Sequence, residues 1–240
     1  MTKIIHLKSP NYISCKKRRN IHSIVIHYTG MRSLQSAVDK LISKKYEVSS
    51  HYLISRAGKI MQLVKDNNIA WHAGISNWFS FKNLNKNSIG IELENKGHQY
   101  GYQDFPSKQI VQLIKILKIL KKKFKIQNIN ITAHSDIAPN RKTDPGEKFP
   151  WKKLYKNNLA IWHSLDEKFI NNFRLKKLIN IKKKNMVKMI KKLGYSTVLT
   201  AGHLNKDFTK AFQRRHRQQL INGIFDQECY LILNSLQKFI

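Results

Sequence analysis

Short runs of β-branched and aliphatic residues alternate with amphipathic stretches of helical period, and this alternation limits the fold more than any other feature of the chain. Residues 23–28 (Ser-Ile-Val-Ile-His-Tyr) read as a buried strand ended by Thr29-Gly30. Residues 88–93 (Ser-Ile-Gly-Ile-Glu-Leu) form another, and residues 129–133 a last one that delivers His134. Residues 48–54 and 59–64 flank Arg56-Ala57-Gly58, a good hairpin turn. Residues 34–46 are helix-like, with Leu34, Val38, Leu41 and Ile42 at helical spacing. Residues 107–124 place Ile110, Leu113, Ile114, Leu117 and Phe124 on one helical face and Lys108, Gln112, Lys115, Lys118 and Lys122 on the other. Strands interleaved with helices predict an α/β fold, a mixed central sheet flanked by helices, with the site in loops beyond the strand ends.

After Trp151 the pattern changes. Residues 165–184 are rich in Lys and Asn and read as a linker or the entry to a helix. Asn185 to Leu193 is helical and stopped by Gly194. Asp207 is expected to cap a helix carrying Phe208, Ala211, Phe212 and Arg215, and Asp226 a final one with Leu231, Leu233 and Leu236. The chain therefore divides into residues 1–164, which hold the chemistry, and residues 165–240, a small three-helix domain with a linker at its start.

A chain of 240 residues has room for one medium and one small domain. No apolar run approaches the length of a bilayer-spanning helix. The segment from Met1 to Lys8 lacks the apolar core of an export signal, so a cytoplasmic location is expected. Cys15 and Cys229 stand near opposite ends and make neither a zinc knuckle nor a disulfide framework. The formal net charge of +31 invites a polyanionic partner. Yet residues 166–240 carry 16 Lys and Arg against 5 Asp and Glu, and the remaining surplus is spread through the rest of the chain. The Lys enrichment accompanies abundant Asn and Ile, as in the products of AT-rich genomes. No base-reading motif is present, so no specific nucleic-acid partner is expected. A monomer is expected.

Acidic residues are scarce, 14 in all, and two of them sit where surface solubility does not explain them. Glu92 ends an apolar run, where a charge is costly unless used or paired. Asp144 lies on a loop, punctuated by Pro139 and Gly146, that also offers His134 and Lys142. A lone His is more often a core residue bonded to backbone. His27 and His134, however, each follow an apolar strand, and Asp144 follows on the next loop. Two imidazoles and a carboxylate with a fourth position open is the pattern of a catalytic rather than a structural zinc. Glu92 is a candidate general base, with Glu94 its rival. Lys142 shares a side with Asp144 and could stabilise an oxyanion. Trp71 and His72, in Trp71-His72-Ala73-Gly74, and Tyr52 are candidate substrate contacts, an aromatic face suiting a sugar ring or peptide backbone. Arg141 reads equally as a surface residue or a substrate-anion contact. His51, in mid-strand, reads as structural or supporting.

Taken together, these segments resemble the zinc-dependent N-acetylmuramoyl-L-alanine amidases of the amidase-2 type, akin to peptidoglycan recognition proteins. The resemblance is carried by Ser9-Pro10-Asn11-Tyr12, Ile24-Val25-Ile26-His27-Tyr28-Thr29, Val48-Ser49-Ser50-His51-Tyr52, Ala70-Trp71-His72-Ala73-Gly74 and Ser88-Ile89-Gly90-Ile91-Glu92-Leu93. It continues in His134-Ser135-Asp136-Ile137-Ala138-Pro139 and Arg141-Lys142-Thr143-Asp144-Pro145-Gly146, and spans about Ser9 to Trp151. It implies one zinc ion on His27, His134 and Asp144, Glu92 rather than Glu94 as the base, and Lys142 stabilising the transition state. It implies a bacterial hydrolase that cleaves the amide between the lactyl group of N-acetylmuramic acid and L-alanine, in peptidoglycan or anhydro-muropeptides. The tail resembles a peptidoglycan-binding module of three-helix type through Ala211-Phe212-Gln213-Arg214-Arg215-His216 and Asn222-Gly223-Ile224-Phe225-Asp226. A polymer-binding tail makes the periplasm the alternative location.

Overall fold

The computed structural model describes residues 3–179, 181–196, 199–200 and 203–240. Its centre is a six-stranded sheet, whose strands are labelled in chain order β1 (Ile4–His6), β2 (Ser23–Tyr28), β3 (Tyr52–Ile54), β4 (Ile60–Gln62), β5 (Ser88–Leu93) and β6 (Ile131–Ala133). Across the sheet they run β1, β4, β3, β5, β2, β6. Only the β3–β4 pair is antiparallel; the other pairings are parallel, so the sheet is mixed as expected. The β3–β4 turn runs through Gly58 at φ +84°, a left-handed conformation that favours glycine, with the Lys108 carbonyl 3.1 Å from where a Cβ would stand.

Side chains alternate across a strand, so β2 and β5 bury both their faces. Ile24, Ile26, Ile89, Ile91 and Leu93 face helix α2 (Ser107–Phe124), which buries Ile110, Leu113, Ile114, Leu117 and Leu120 against them. Each such side chain contributes about 1.5–3 kcal/mol by leaving water. On the opposite face Leu53 packs beneath helix α1 (Leu34–Ile42) with Leu41, while Val25 joins a second cluster. The helical stretch expected over residues 34–46 is shorter, because Ser43 turns extended and a separate 3-10 turn covers Lys44–Tyr46. The strand expected over 48–54 begins only at Tyr52. Ser49 is held outside the ladder, its hydroxyl donating to the Asn11 carbonyl and accepting the Trp71 N–H.

A short helix α3 (His134–Ile137) follows β6 directly, where a loop was expected, and α4 (Trp151–Lys156) and α5 (Glu167–Asn171) lead into the tail. The tail carries α6 (Lys183–Lys192), α7 (Lys206–His216) and α8 (Gln227–Leu236). Asp226 caps α8 by accepting the Cys229 N–H, as read from sequence. The cap of α7 is Asn205 rather than Asp207. The Asn205 side chain accepts the N–H groups of Asp207 and Phe208, which places Asp207 in the first turn, where its charge still faces the positive helix end.

Phe208, Phe212, Ile232 and Leu233 of the tail pack in the same cluster as Val25, Trp78 and Ile137 of the sheet half. A buried polar knot reinforces that contact. Asp136 on α3 accepts the Ala133 N–H at 2.8 Å, the Tyr195 hydroxyl at 2.8 Å, and the Arg215 guanidinium of α7. Arg215 also donates to the Ile131 carbonyl and lies over the Trp151 ring. Removing one partner of a buried ion pair strands the other charge. Arg215→Ala is therefore expected to lower unfolding free energy by about 3–5 kcal/mol, read from urea denaturation; an unchanged midpoint would mean that the knot carries no stability.

Candidate metal centre and active-site cleft

The register of the sheet assembles the site. In the parallel β2–β5 pair His27 stands beside Glu92, and in the β2–β6 pair Ile26 stands beside Ala133, which leaves His134 next to His27. Strand alternation turns His27 and Glu92 away from Ile26 and Ile91 and towards one cleft. Three adjacent parallel strands thus deliver the candidate residues at or just past their carboxyl ends, where open α/β sheets hold ligands.

Asp144 comes from the loop after α3. Its carbonyl accepts the Ser135 N–H at 3.0 Å, and the Tyr102 hydroxyl donates to the next carbonyl, that of Pro145, at 2.7 Å. His27 Nδ1 and His134 Nδ1 are 2.9 Å apart, and each lies 3.1 Å from Asp144 Oδ2. All three residues are buried. Burial, and after it the neighbouring His134, holds His27 down at about 4, so the ring is neutral at physiological pH and keeps a lone pair. His134 Nε2 donates to the Ala73 carbonyl at 3.1 Å, which selects the tautomer whose Nδ1 carries the ligand lone pair. A cation bonded at about 2.0–2.1 Å to tetrahedral ligands spaces them by about 3.3 Å, close to the edges of this triangle. Two neutral imidazoles and one carboxylate suit a divalent ion in charge and in donor chemistry.

Glu92 Oε2 is buried with no hydrogen-bond partner among the described residues. Burial, and then the Asp144 charge, push its carboxyl up to about 8, against the opposing pull of Lys142 and Lys40. A carboxyl tuned so close to neutrality can both take and return a proton. Glu94, its sequence rival, is committed elsewhere: its carboxylate accepts the Arg56 N–H at 2.7 Å.

The cleft has a volume of about 620 Å³, within the usual range for ligand sites. Lys142 and Trp71 line it, and Lys142 makes no side-chain hydrogen bond among the described residues. Arg141 also borders it, but its Nε and Nη2 donate to the Ile75 carbonyl, and Nη2 to that of Ala73 as well. His72 stands behind His27 with Nδ1 3.1 Å from His27 Nε2 and Nε2 3.2 Å from Ser88 Oγ, so neither ring nitrogen is free for a substrate. Tyr52 is a correction to the sequence reading. It pairs with Ile91, not Glu92, so it lies on the α2 side of the sheet, and its hydroxyl donates to Asp66 at 2.6 Å. His51 is supporting: Nδ1 accepts the Gly90 N–H at 3.0 Å. Sequence reasoning did not find Lys40 and Glu47, which wall the cleft from α1 and the turn after it; both look like ordinary surface charges in sequence.

Residues 17–147 match the family model Amidase_2, N-acetylmuramoyl-L-alanine amidase, over more than half of the chain. The chain belongs to that family. It is 35% identical over 232 residues to N-acetylmuramoyl-L-alanine amidase AmiD of Escherichia coli strain K12, covering 90% of this chain and 82% of AmiD. The solved complex of E. coli AmiD with the substrate anhydro-N-acetylmuramic acid-L-Ala-D-gamma-Glu-L-Lys superposes with a TM-score of 0.76 at 30% identity, over 95% of this chain and 97% of that one. AmpDh3 of Pseudomonas aeruginosa in complex with an anhydromuramic pentapeptide gives a TM-score of 0.79 at 28% identity, over 94% of each chain.

Glu92 makes the metal-free protein sensitive to pH. Its folded pKa lies above the ordinary value of 4.5, so its contribution to stability is fully present below about 4.5 and is lost as pH rises through about 8. Thermal melts of metal-free protein between these limits should fall with pH, and Glu92→Gln should flatten the fall; identical profiles for the two proteins would contradict the placement of this carboxyl. A Cβ at residue 90 would stand 2.4 Å from His72 Cγ, so Gly90→Ala should destabilise by about 1–3 kcal/mol in urea titrations, and an unaffected midpoint would argue against this packing.

Proposed function

We propose that this chain hydrolyses the amide between the lactyl group of N-acetylmuramic acid and L-alanine, with one zinc ion held by His27, His134 and Asp144. The observation that carries the reading is the buried triangle of two Nδ1 atoms and one carboxylate oxygen, with the unpaired Glu92 carboxyl on the neighbouring strand. When bound, zinc supplies a Lewis acid for the scissile carbonyl and acidifies water near neutrality. Glu92 takes the proton from the attacking water and returns it to the leaving amine nitrogen, a task suited to a carboxyl with a pKa of about 8. The Lys142 ammonium offsets the negative charge that grows on the carbonyl oxygen. Trp71 offers an aromatic wall to sugar or peptide.

Anhydro-muropeptides are the proposed substrate class, supported by the ligands named in the complexes of AmiD and AmpDh3. We read residues 1–164 as the catalytic unit and residues 165–240 as a peptidoglycan-binding-like unit, which would bring the same cleft to intact wall polymer.

Soluble anhydro-muropeptides and intact sacculi should be digested side by side, with products identified by mass. Release of peptides beginning with L-alanine is expected, abolished by exhaustive chelation and restored by zinc. Glu92→Ala should lose turnover while remaining folded. Lys142→Ala should lower kcat by about 10²–10³ with a smaller change in KM. Full hydrolysis after complete metal removal would end this reading.

A further inference from the structure

Behind the three donors runs a line of hydrogen bonds whose direction is fixed at its far end. The Leu84 carbonyl can only accept, so the Ser88 hydroxyl spends its single hydrogen there, at 2.5 Å. Ser88 Oγ is then an acceptor for His72 Nε2 at 3.2 Å. A neutral imidazole carries one N–H, so His72 Nδ1 holds a lone pair. The atom facing it, His27 Nε2 at 3.1 Å, must therefore be the donor. His27 is left with Nδ1 unprotonated, pointing at the spot shared with His134 Nδ1 and Asp144 Oδ2.

This direction is not the one His27 would adopt unaided. Its Nδ1 lies 3.1 Å from a carboxylate oxygen of Asp144, and a charged acceptor is stronger than a neutral one. Without a competing acceptor at Nε2, the proton would move to Nδ1, bond to Asp144, and close the ligand position. His134 is governed by a backbone carbonyl, whereas His27 depends on two side chains. Both are shielded from water, Ser88 at 0% and His72 at 9% exposure. Gly90 completes the arrangement, since any Cβ there would occupy the His72 ring position.

We propose that His72 and Ser88 are positioning residues that lock His27 in its Nε2–H tautomer, so that Nδ1 stays open to a divalent cation. The proposal rests on the metal reading above and specifies which residues make the first imidazole a competent ligand.

Two measurements test it. In the unmodified metal-free protein, nitrogen-15 shifts of the His27 ring should report the Nε2–H tautomer. Zinc affinity, measured by competition with a chromophoric chelator, should fall about 10–100-fold in His72→Phe, which fills the space without an acceptor. His72→Asn restores an acceptor oxygen near the Nδ1 position and should recover most of that loss. Ser88→Ala should populate both His27 tautomers. A proton on His27 Nδ1 in the unmodified protein overturns the proposal, as does unchanged zinc affinity in folded His72→Phe. If His72→Phe does not fold, the unmodified spectrum and Ser88→Ala decide. Failure of the unmodified protein to bind zinc, with His27 still in the Nε2–H form, would instead remove the metal reading and leave the tautomer assignment standing.

Discussion

The parallel registry of β5, β2 and β6 is the constraint on which the rest depends. It sets Glu92 beside His27 and lets His134 emerge one step past Ala133, so three reactive groups share a row without any long-range adjustment. Period-two alternation then decides which face they occupy. A slip of one residue would exchange His27 for Ile26 and Glu92 for Ile91, sending both reactive groups into the α2 core. The deep burial of Ile24, Ile26, Ile89 and Ile91 beneath α2 opposes that slip. Core packing and active-site geometry are here the same interaction viewed from opposite sides of one sheet.

Burial acts differently on the groups it encloses. It strips His27 of its proton and thereby exposes a lone pair, while it gives Glu92 a proton affinity far above that of a free carboxyl. A group that is to bind a cation must be bare, and one that is to take up a proton must be able to hold it. Burial of the two side chains serves both because the imidazole is cationic when protonated and the carboxyl is neutral when protonated.

Much of this was legible in the chain. The runs at 23–28 and 88–93 and the helix at 107–124 were read with the bounds the structure shows, since continuous apolar stretches with clear ends leave little choice. His27, His134 and Asp144 could be grouped by chemistry, and the structure brings them within bonding distance of a common point. Glu92 was separated from Glu94 only by resemblance. In the structure the Glu94 carboxylate accepts the Arg56 N–H, a contact made through a turn remote in sequence. Tyr52 was misplaced because a strand's composition does not reveal which of its two faces meets the cleft; the pairing of Leu53 with Glu92 settles that. For His72 the sequence offers only a loop position, whereas the structure gives both of its ring nitrogens partners, His27 and Ser88. The α7 cap was missed by two positions, Asn and Asp being equally able to accept at a helix start.

Asp136 lies two residues beyond His134, and its carboxylate is gripped by Tyr195 and Arg215 from the far end of the chain. The short helix that presents one imidazole is thus braced by the terminal third of the polypeptide. Unfolding or removing that terminal third would leave the Asp136 charge buried without its guanidinium partner two residues from His134, so the local order of one candidate ligand is tied to a segment 79 residues further along the chain.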